Sequence, residues 1–452
     1  MNKIRKTKLK ILVLIIYFLF LVSPVFGSLN DYNPVKDARK ITLENGLTII
    51  TLKNRGPELV SINFFIKTGS IHEDEQNAGI SHFCEHMFYR SLEDGQDMKA
   101  AIEGIGGVFN AETTKDYTRY YLEIPSQYGL KALDIYSRSL LNIEYSEEFL
   151  EKEREVVLEE YNLYVENAMA VVHNKLYEKA FPGHPYSRAT IGFEETIKKY
   201  SLNSLLNYKE QWYIPRNTVV VLVGNFDEEK YISHIKDIFR TRKNGFISDE
   251  PYQPPVTLPL EENFEIIEEK EGIAGQAFFL LGFHSPAMED TKDVLAVDLL
   301  SFLLGQGRNS ILYREACKKE NLTREISVSY FTTRDPGIIL FAAEVEKEKV
   351  EDLKKVVLDV IGRVMEGDFS DQQFERARNM LGRSFIYGAQ TNNDKAEALG
   401  FYEVLYNMDF AKNYINSLEK ISREDVTEAA KKYLGKKYVM YVAVPKPLED
   451  DE

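Results

Sequence analysis

Cysteine is scarce, with only Cys84 and Cys317 in 452 residues. At most one disulfide is available, and its two halves lie far apart in the chain. Unpaired cysteine is among the residue types most often buried, so two buried free thiols are expected. Positive charge is outnumbered: 56 Lys and Arg face 71 Asp and Glu, a net charge of −15. A chain so acidic is not expected to grip nucleic acid through its phosphates. Its acidity serves solubility before any ligand. Histidine is sparse too, with seven residues. No stretch has the composition of a disordered segment, and the 44 % apolar content supplies a core throughout. The length exceeds one ordinary core and points to two or more domains.

Long apolar runs are missing outside the first 27 residues. There "MNKIRKTKLK" carries Lys3, Arg5, Lys6, Lys8 and Lys10 and no acid. "ILVLIIYFLFLV" follows, and "SPVFGS" places Pro24 ahead of small residues. This is the layout of a secretory signal peptide, with cleavage expected near Gly27–Ser28. Its apolar run of twelve residues is short for a membrane span, and no cysteine follows to take a lipid. The mature chain is therefore expected to be exported, periplasmic or secreted, with no stable membrane anchor. Cleavage takes Lys plus Arg from 56 to 51 and the net charge from −15 to −20.

The rest of the chain alternates strand and helix patterns. Residues 41–54 read as two strands around an Asn45-Gly46 turn, and residues 59–70 as a third. Residues 79–92 and 98–106 read as helices and 107–124 as two alternating strands. Long helices are expected at about 126–141 and 146–168, then a buried β-branched strand, "NTVVVLVGNF", at 217–226. Residues 247–263 hold four prolines, which suit neither a helix nor a central strand, and read as an extended linker. Beyond it the order returns: a strand at 276–285, a helix at 293–305, further strands and two long helices, and a last strand at 437–445. The expected fold class is α+β, two homologous α/β sandwich-type domains from a duplicated unit. Each would have a mostly antiparallel sheet with helices packed on one face. The expected boundaries are 28–246, a linker at 247–263, and 264–452.

The scarce histidines concentrate in "GISHFCEHMFYR" (79–90). On a helix, His82 and His86 stand at i and i+4, so their rings leave one face and can share one metal ion. Glu85 lies near that face and can take a proton from a metal-activated water without ligating the metal. Cys84 points about 200° from His82, into the packing behind. Two surface histidines beside a solvated acid would show the same spacing. However, Ile80, Phe83, Met87 and Phe88 make the helix apolar on most sides, as in a mostly buried helix. Buried His and Glu need partners.

A catalytic zinc asks for three protein ligands and an open position. The stretch "SEEFLEKEREVVLEEYNLY" (146–164) carries seven glutamates between 147 and 160. Wound at 100° per residue, Phe149, Leu150, Val156, Val157 and Tyr164 share a side. Glu153 and Glu160 sit in the middle of it, where two carboxylates without a cation are costly. Glu160 is the expected third ligand and Glu153 the auxiliary acid.

His-x-x-Glu-His followed 74 residues later by Glu, inside "EREVVLEE", resembles the inverted zinc motif of the pitrilysin, insulysin and mitochondrial processing peptidase family. "GGVFNAETTKDYTRY" (106–120) looks like that family's strand segment beside the site, and "HPYSRATIGFEETI" (184–197) and "WYIPRNTVVVLVGNFD" (212–227) are similar to its later segments. The resemblance spans nearly the whole mature chain and includes the duplication. It implies an exported zinc metalloendopeptidase acting on peptides or small unfolded proteins, with one Zn2+ per chain. His82, His86 and Glu160 would be the metal ligands. Glu85 would be the general base, joined by Glu153 in the catalytic set. Asn110 and Ala111 would meet substrate on an edge strand, where an extended peptide can pair through its main chain.

One family feature has no counterpart. Active members carry an Arg and, seven residues on, a Tyr in the second half, which bind substrate and stabilise the oxyanion. Aligned on "GQGRNSILY", those positions fall on Cys317 and near Ile326. Arg314, Arg324 and Tyr330 stand nearby in a different register. The resemblance therefore implies a homologous partner that lacks the zinc motif and supplies the pair, in a heterodimer. A homodimer using Arg324 or Tyr330 is the other arrangement. A non-catalytic or weakly active assembly subunit of the same fold is the alternative function.

Overall fold

The Asn45-Gly46 turn forms as expected: β1 (Arg39–Thr42) pairs antiparallel with β2 (Thr48–Lys53). Gly46 takes φ 85°, which glycine adopts without steric cost. The computed structural model describes residues 32–89, 92–93, 96–141, 145–240, 255–271, 273 and 275–446. The expected signal segment, 1–27, and residues 247–254 of the expected linker lie outside them. Residues 255–263 are in neither helix nor strand. Among the described residues, no helix is long and apolar enough to cross a membrane.

β3 (Leu59–Ile66) leads to α1 (Ile80–Phe88), the short α2 (Met98–Glu103), and the antiparallel β4 (Val108–Thr113) and β5 (Thr118–Pro125). Then come α3 (Gly129–Leu141), α4 (Glu147–Glu166), α5 (Ala168–Ala180), α6 (Glu194–Lys199) and α7 (Leu202–Trp212). β6 (Thr218–Gly224) and α8 (Glu228–Phe239) close the first half. The second half runs β7 (Phe264–Lys270), β8 (Ala277–His284), α9 (Thr291–Gly305), β9 (Thr323–Tyr330) and β10 (Ile338–Val345). It ends with α10 (Val350–Met365), α11 (Asp371–Tyr387), α12 (Asn392–Leu405), α13 (Asp409–Leu418), α14 (Arg423–Ala429) and β11 (Val439–Pro445).

The duplication is written in the strand order. The first sheet is β1-β2-β6-β3-β5-β4 and the second is β7-β11-β8-β10-β9. Dropping β1, the two orders coincide position by position. The one parallel pair recurs in the same place, β2 with β6 and β7 with β11, and all other pairs are antiparallel.

Helices of the first half cover one face of their sheet. Phe83, Met87 and Phe88 from α1 and Leu133 and Tyr136 from α3 close over Ile49, Ile62, Phe64 and Leu222. The opposite face is not left open. α12, from the second half, lies across β3 and β6 there, and Ala396 and Leu399 meet Phe65, Val219 and Val221. The exchange is reciprocal: α5, from the first half, crosses β8 and β11 and buries Val172 and Leu176 against Leu280, Ile338 and Val439. Burial from both sides explains why all seven residues of β6 are buried and why its sequence reads as an unbroken apolar run.

The seam between halves is tight and charged. Gly400 on α12 approaches Phe65 so closely that a Cβ would stand 2.0 Å from the ring. Arg119 on β5, 1 % exposed, donates to Asn63 Oδ1 at 2.8 Å, Glu397 Oε2 at 2.7 Å and Asn393 Oδ1 at 2.8 Å. Two of these three acceptors belong to α12. A buried guanidinium is tolerable when its fork of donors is filled in this way.

Candidate metal centre

α1 begins at Gly79, whose φ of 94° turns the chain into the helix. The helix then lays Phe83, Cys84 and Met87 into the core and turns His82, Glu85 and His86 toward α4 and β4. Cys84 is buried on the packing side, its thiol pushed up to about 12 by burial. Cys317 is buried as well, and both thiols are free.

His82, His86 and Glu160 each offer a ligand atom, and the three atoms lie within 4.8 Å of one another. Glu160 Oε2 is 3.3 Å from His86 Nε2, and Glu160 Oε1 is 3.7 Å from His82 Nε2. The two imidazoles meet edge to face with centroids 4.7 Å apart. The other nitrogen of His86, Nδ1, faces Glu153 Oε2 at 3.4 Å. That contact holds a proton on Nδ1, so a divalent ion displacing the proton that Nε2 shares with Glu160 would meet an oriented ring, the arrangement by which carboxylates orient metal-bound histidines. Burial opposes charge on His86, but hydrogen bonds to Glu153 and Glu160 overcome it and raise the ring to about 9. Burial, followed by the neighbouring His86, lowers His82 to about 4. The bond to His86 keeps Glu160 below the usual carboxylate range. Two imidazoles and a carboxylate converging on one point fit a tetrahedral divalent ion with one position left open.

Glu85 is 8 % exposed and accepts a 2.6 Å hydrogen bond from Thr113 Oγ1. Burial raises its pKa although Thr113 and His86 pull the other way. This tuning suits a carboxylate that must take up a proton. Sequence reasoning did not single out Thr113 as the partner of Glu85. The signal was the strand period of two, which puts Thr113 on the face of Ala111.

α4 departs from the expected wheel. Leu150, Glu153 and Val157 are buried, but Val156 is 44 % exposed and Glu160 lies open, its side chain 49 % exposed. Full burial on α4 ends at Val157, beyond which Leu158, Tyr161 and Tyr164 pack only partly buried against the core; Arg154 Nη2 also donates to the Tyr200 carbonyl at 2.6 Å. Glu160 therefore reaches the histidines from the rim and not from an apolar interior. Glu153 stands behind His86, on the side away from Glu160.

Among the described residues β4 ends the first sheet, so one side of its backbone has no strand partner there. Asn110 is exposed there, its Oδ1 3.4 Å from the Tyr89 hydroxyl, and Ala111 is half-buried. In the second half, Cys317 and Ile326 are both buried and neither carries a charge. Arg314 and Arg324 are exposed, and the Tyr330 hydroxyl donates to the Pro286 carbonyl at 3.4 Å.

Comparison with known proteins bears on both halves. Residues 48–194 match the family model described as insulinase (peptidase family M16), and residues 199–381 match the peptidase M16 inactive domain. The zinc protease PqqE of Helicobacter pylori is 25 % identical over 87 % of this chain and 89 % of its own. An uncharacterised zinc protease of Bacillus subtilis, YmxG, is 25 % identical over 90 % of this chain and 98 % of its own. In fold, the chain is similar to a crystal structure of a protease from Helicobacter pylori, with a TM-score of 0.82 at 23 % identity over 91 % of this chain and all of that one. It is also similar to a chain of complex III2 from Candida albicans, with a TM-score of 0.75 at 16 % identity over 90 % of this chain and 95 % of that one. With His82, Glu85, His86 and Glu160 gathered at the foot of an open edge strand, and both halves matched, the chain belongs to the insulinase-like peptidase family M16.

Proposed function

We propose that the chain is an exported zinc metalloendopeptidase that cleaves extended peptides or small unfolded proteins. The observation that carries this reading is the convergence of His82, His86 and Glu160 beside a buried Glu85 that β4 itself holds through Thr113. Zinc bound there would supply Lewis-acid polarisation of a water and of the scissile carbonyl. The chain's own residues supply the rest. The free edge of β4 accepts a substrate as an added strand, so main-chain hydrogen bonds set its register and many sequences are tolerated. Glu85 receives the proton of the attacking water and returns it to the leaving amine. Thr113 aims the Glu85 carboxylate from the same strand that holds substrate, which fixes the distance between base and scissile bond. Glu153 keeps His86 in one tautomer.

Oxyanion stabilisation is the missing part. Cys317 and Ile326 cannot supply it, and the Tyr330 hydroxyl is engaged with Pro286. This favours a homologous partner chain without a zinc motif as the source of the Arg and Tyr. The same gap leaves a second reading, an assembly subunit with little activity of its own, which the intact His82, Glu85, His86 and Glu160 oppose. The signal-like segment 1–27 supports export.

The deciding experiment compares the unaltered chain with Glu85→Gln, each alone and with whatever homologue co-purifies from its own cells. Zinc content is expected to be equal in the two proteins. Peptide cleavage is expected with the unaltered chain plus partner and to fall by about 10²–10⁴-fold in the variant. Full cleavage by Glu85→Gln would remove the base from this account.

A further inference from the structure

α1 holds both imidazoles, so whatever sets its first turn sets the metal site. That turn is held by Glu73, which lies seven residues upstream of the helix and is 5 % exposed. Its Oε2 accepts from the Gly79 amide at 2.8 Å, and its Oε1 accepts from the Ser81 amide at 2.9 Å and the Ser81 hydroxyl at 2.5 Å. Backbone N–H groups at a helix start have no partner within the helix, and a carboxylate there also meets the favourable end of the helix dipole. His82 follows Ser81 directly. The Ser81 hydroxyl is braced in turn by the Tyr208 hydroxyl at 2.7 Å, itself 2.7 Å from the Thr68 hydroxyl.

Glu73 is held from the other side by a buried network that leads into the second half. Arg188 Nη2 donates to the Glu73 carbonyl. Lys115 Nζ donates to the carbonyls of Arg188 at 2.8 Å and Tyr186 at 2.9 Å, and the Lys115 carbonyl accepts from the Ile71 amide at 2.8 Å. The neighbouring Asp116 accepts from the Tyr186 hydroxyl at 2.6 Å and from the Arg334 amide at 3.2 Å. The Asp335 amide donates to the Tyr186 hydroxyl at 3.3 Å. His184 takes the Tyr186 amide on Nδ1 at 3.1 Å, which leaves the proton on Nε2, 3.3 Å from Asp335 Oδ2. Asp116, His184 and Asp335 are at most 7 % exposed. Arg334 and Asp335 lie in the turn between β9 and β10, so the second half reaches the loops that hold the first half's metal helix.

The geometry points to Glu73 as a positioning residue for the metal ligands, kept in place by the β9–β10 turn of the second half acting through Asp116, Tyr186 and His184. This rests on the zinc-site reading above and deepens it. The second half, which lacks a His-x-x-Glu-His of its own, would tune zinc affinity in the first through hydrogen bonds. Glu73 touches neither substrate nor metal and acts only through α1.

The test is zinc affinity of the full-length mature chain, measured without substrate by competition with a chromophoric chelator, with folding checked by circular dichroism. Glu73→Ala is expected to weaken zinc binding by about 10–100-fold, the usual effect of removing an outer support of a metal site. Ser81→Ala keeps the carboxylate and removes one of three bonds, so a smaller loss in the same direction is expected, and it serves if Glu73→Ala does not fold. Glu73→Gln retains one acceptor oxygen and should recover part of the loss. Asp335→Ala, in the other half, should weaken binding about threefold or more, since the coupling is indirect. Zinc affinity unchanged in folded Glu73→Ala or Ser81→Ala overturns the positioning role. Unchanged affinity in Asp335→Ala overturns the link between halves. No zinc bound by the unaltered chain overturns the zinc site itself and this inference with it.

Discussion

Glu153 offers a graded test of how the site is supported. It is 5 % exposed and its Oε2 lies 3.4 Å from His86 Nδ1, while His86 Nε2 lies 3.3 Å from Glu160. Without the carboxylate, His86 can take either tautomer and its ring can turn, so less of the population presents the Nε2 lone pair. Losing such an outer partner costs about 10–100-fold in metal affinity, or ~1.4–2.7 kcal/mol. Two variants divide that range. Glu153→Gln keeps the volume and one oxygen able to accept from Nδ1–H, so the loss should fall near tenfold. Glu153→Leu removes the acceptor and should approach a hundredfold. Glu160→Gln, which replaces a ligand, should bind more weakly than either. Competition titration with a chelator reads all three on the same scale. A Glu153→Leu chain that binds zinc as tightly as the unaltered one would refute the idea that Glu153 acts through His86.

Two further expectations concern the body of the molecule. Gly400→Ala should destabilise the fold by about 1–3 kcal/mol, because the added methyl needs the space of the Phe65 ring and must push α12 off β3. An unchanged denaturant midpoint would show that the exchanged helix is not tightly seated. His72, packed against Trp212 with centroids 4.4 Å apart, is lowered from 6.5 to about 3, first by burial and then by Arg334. Below its ordinary pKa the unfolded chain binds a proton that the folded chain refuses. Stability should therefore fall between pH 6.5 and about 3. The slope is about 1.4 kcal/mol per pH unit, or ~2 kcal/mol lost by pH 5. His72→Phe should flatten that slope in urea titrations of the metal-free chain, and an unchanged slope would assign it to other groups.

Much of the site was legible because its signals are local. The i, i+4 spacing of His82 and His86 places both rings on one face whatever surrounds the helix, and Glu153 and Glu160, seven residues apart, repeat on one face of α4. The Asn45-Gly46 turn, the alternating β4–β5 segment and the duplicated order of elements rest on patterns a few residues long. The burial of Glu160 was misjudged because a helical wheel gives direction but not depth: α4 is fully buried only at Leu150, Glu153 and Val157, and Val156 and Glu160 emerge on the rim.

Partners distant in the chain were decided by tertiary structure alone. The continuous apolar run of β6 showed that both its faces are covered, but no pattern within it could say that the second cover is α12, more than 160 residues away. Thr113 meets Glu85 across 28 positions, and Arg334 meets Asp116 across 218. A hydrogen bond or a packed ring depends on where two backbones cross, and that crossing is set by the sum of burial over the whole core. The sequence by itself determined which side chains could do the chemistry and which face each would leave; only the folded chain decided which of those faces meet.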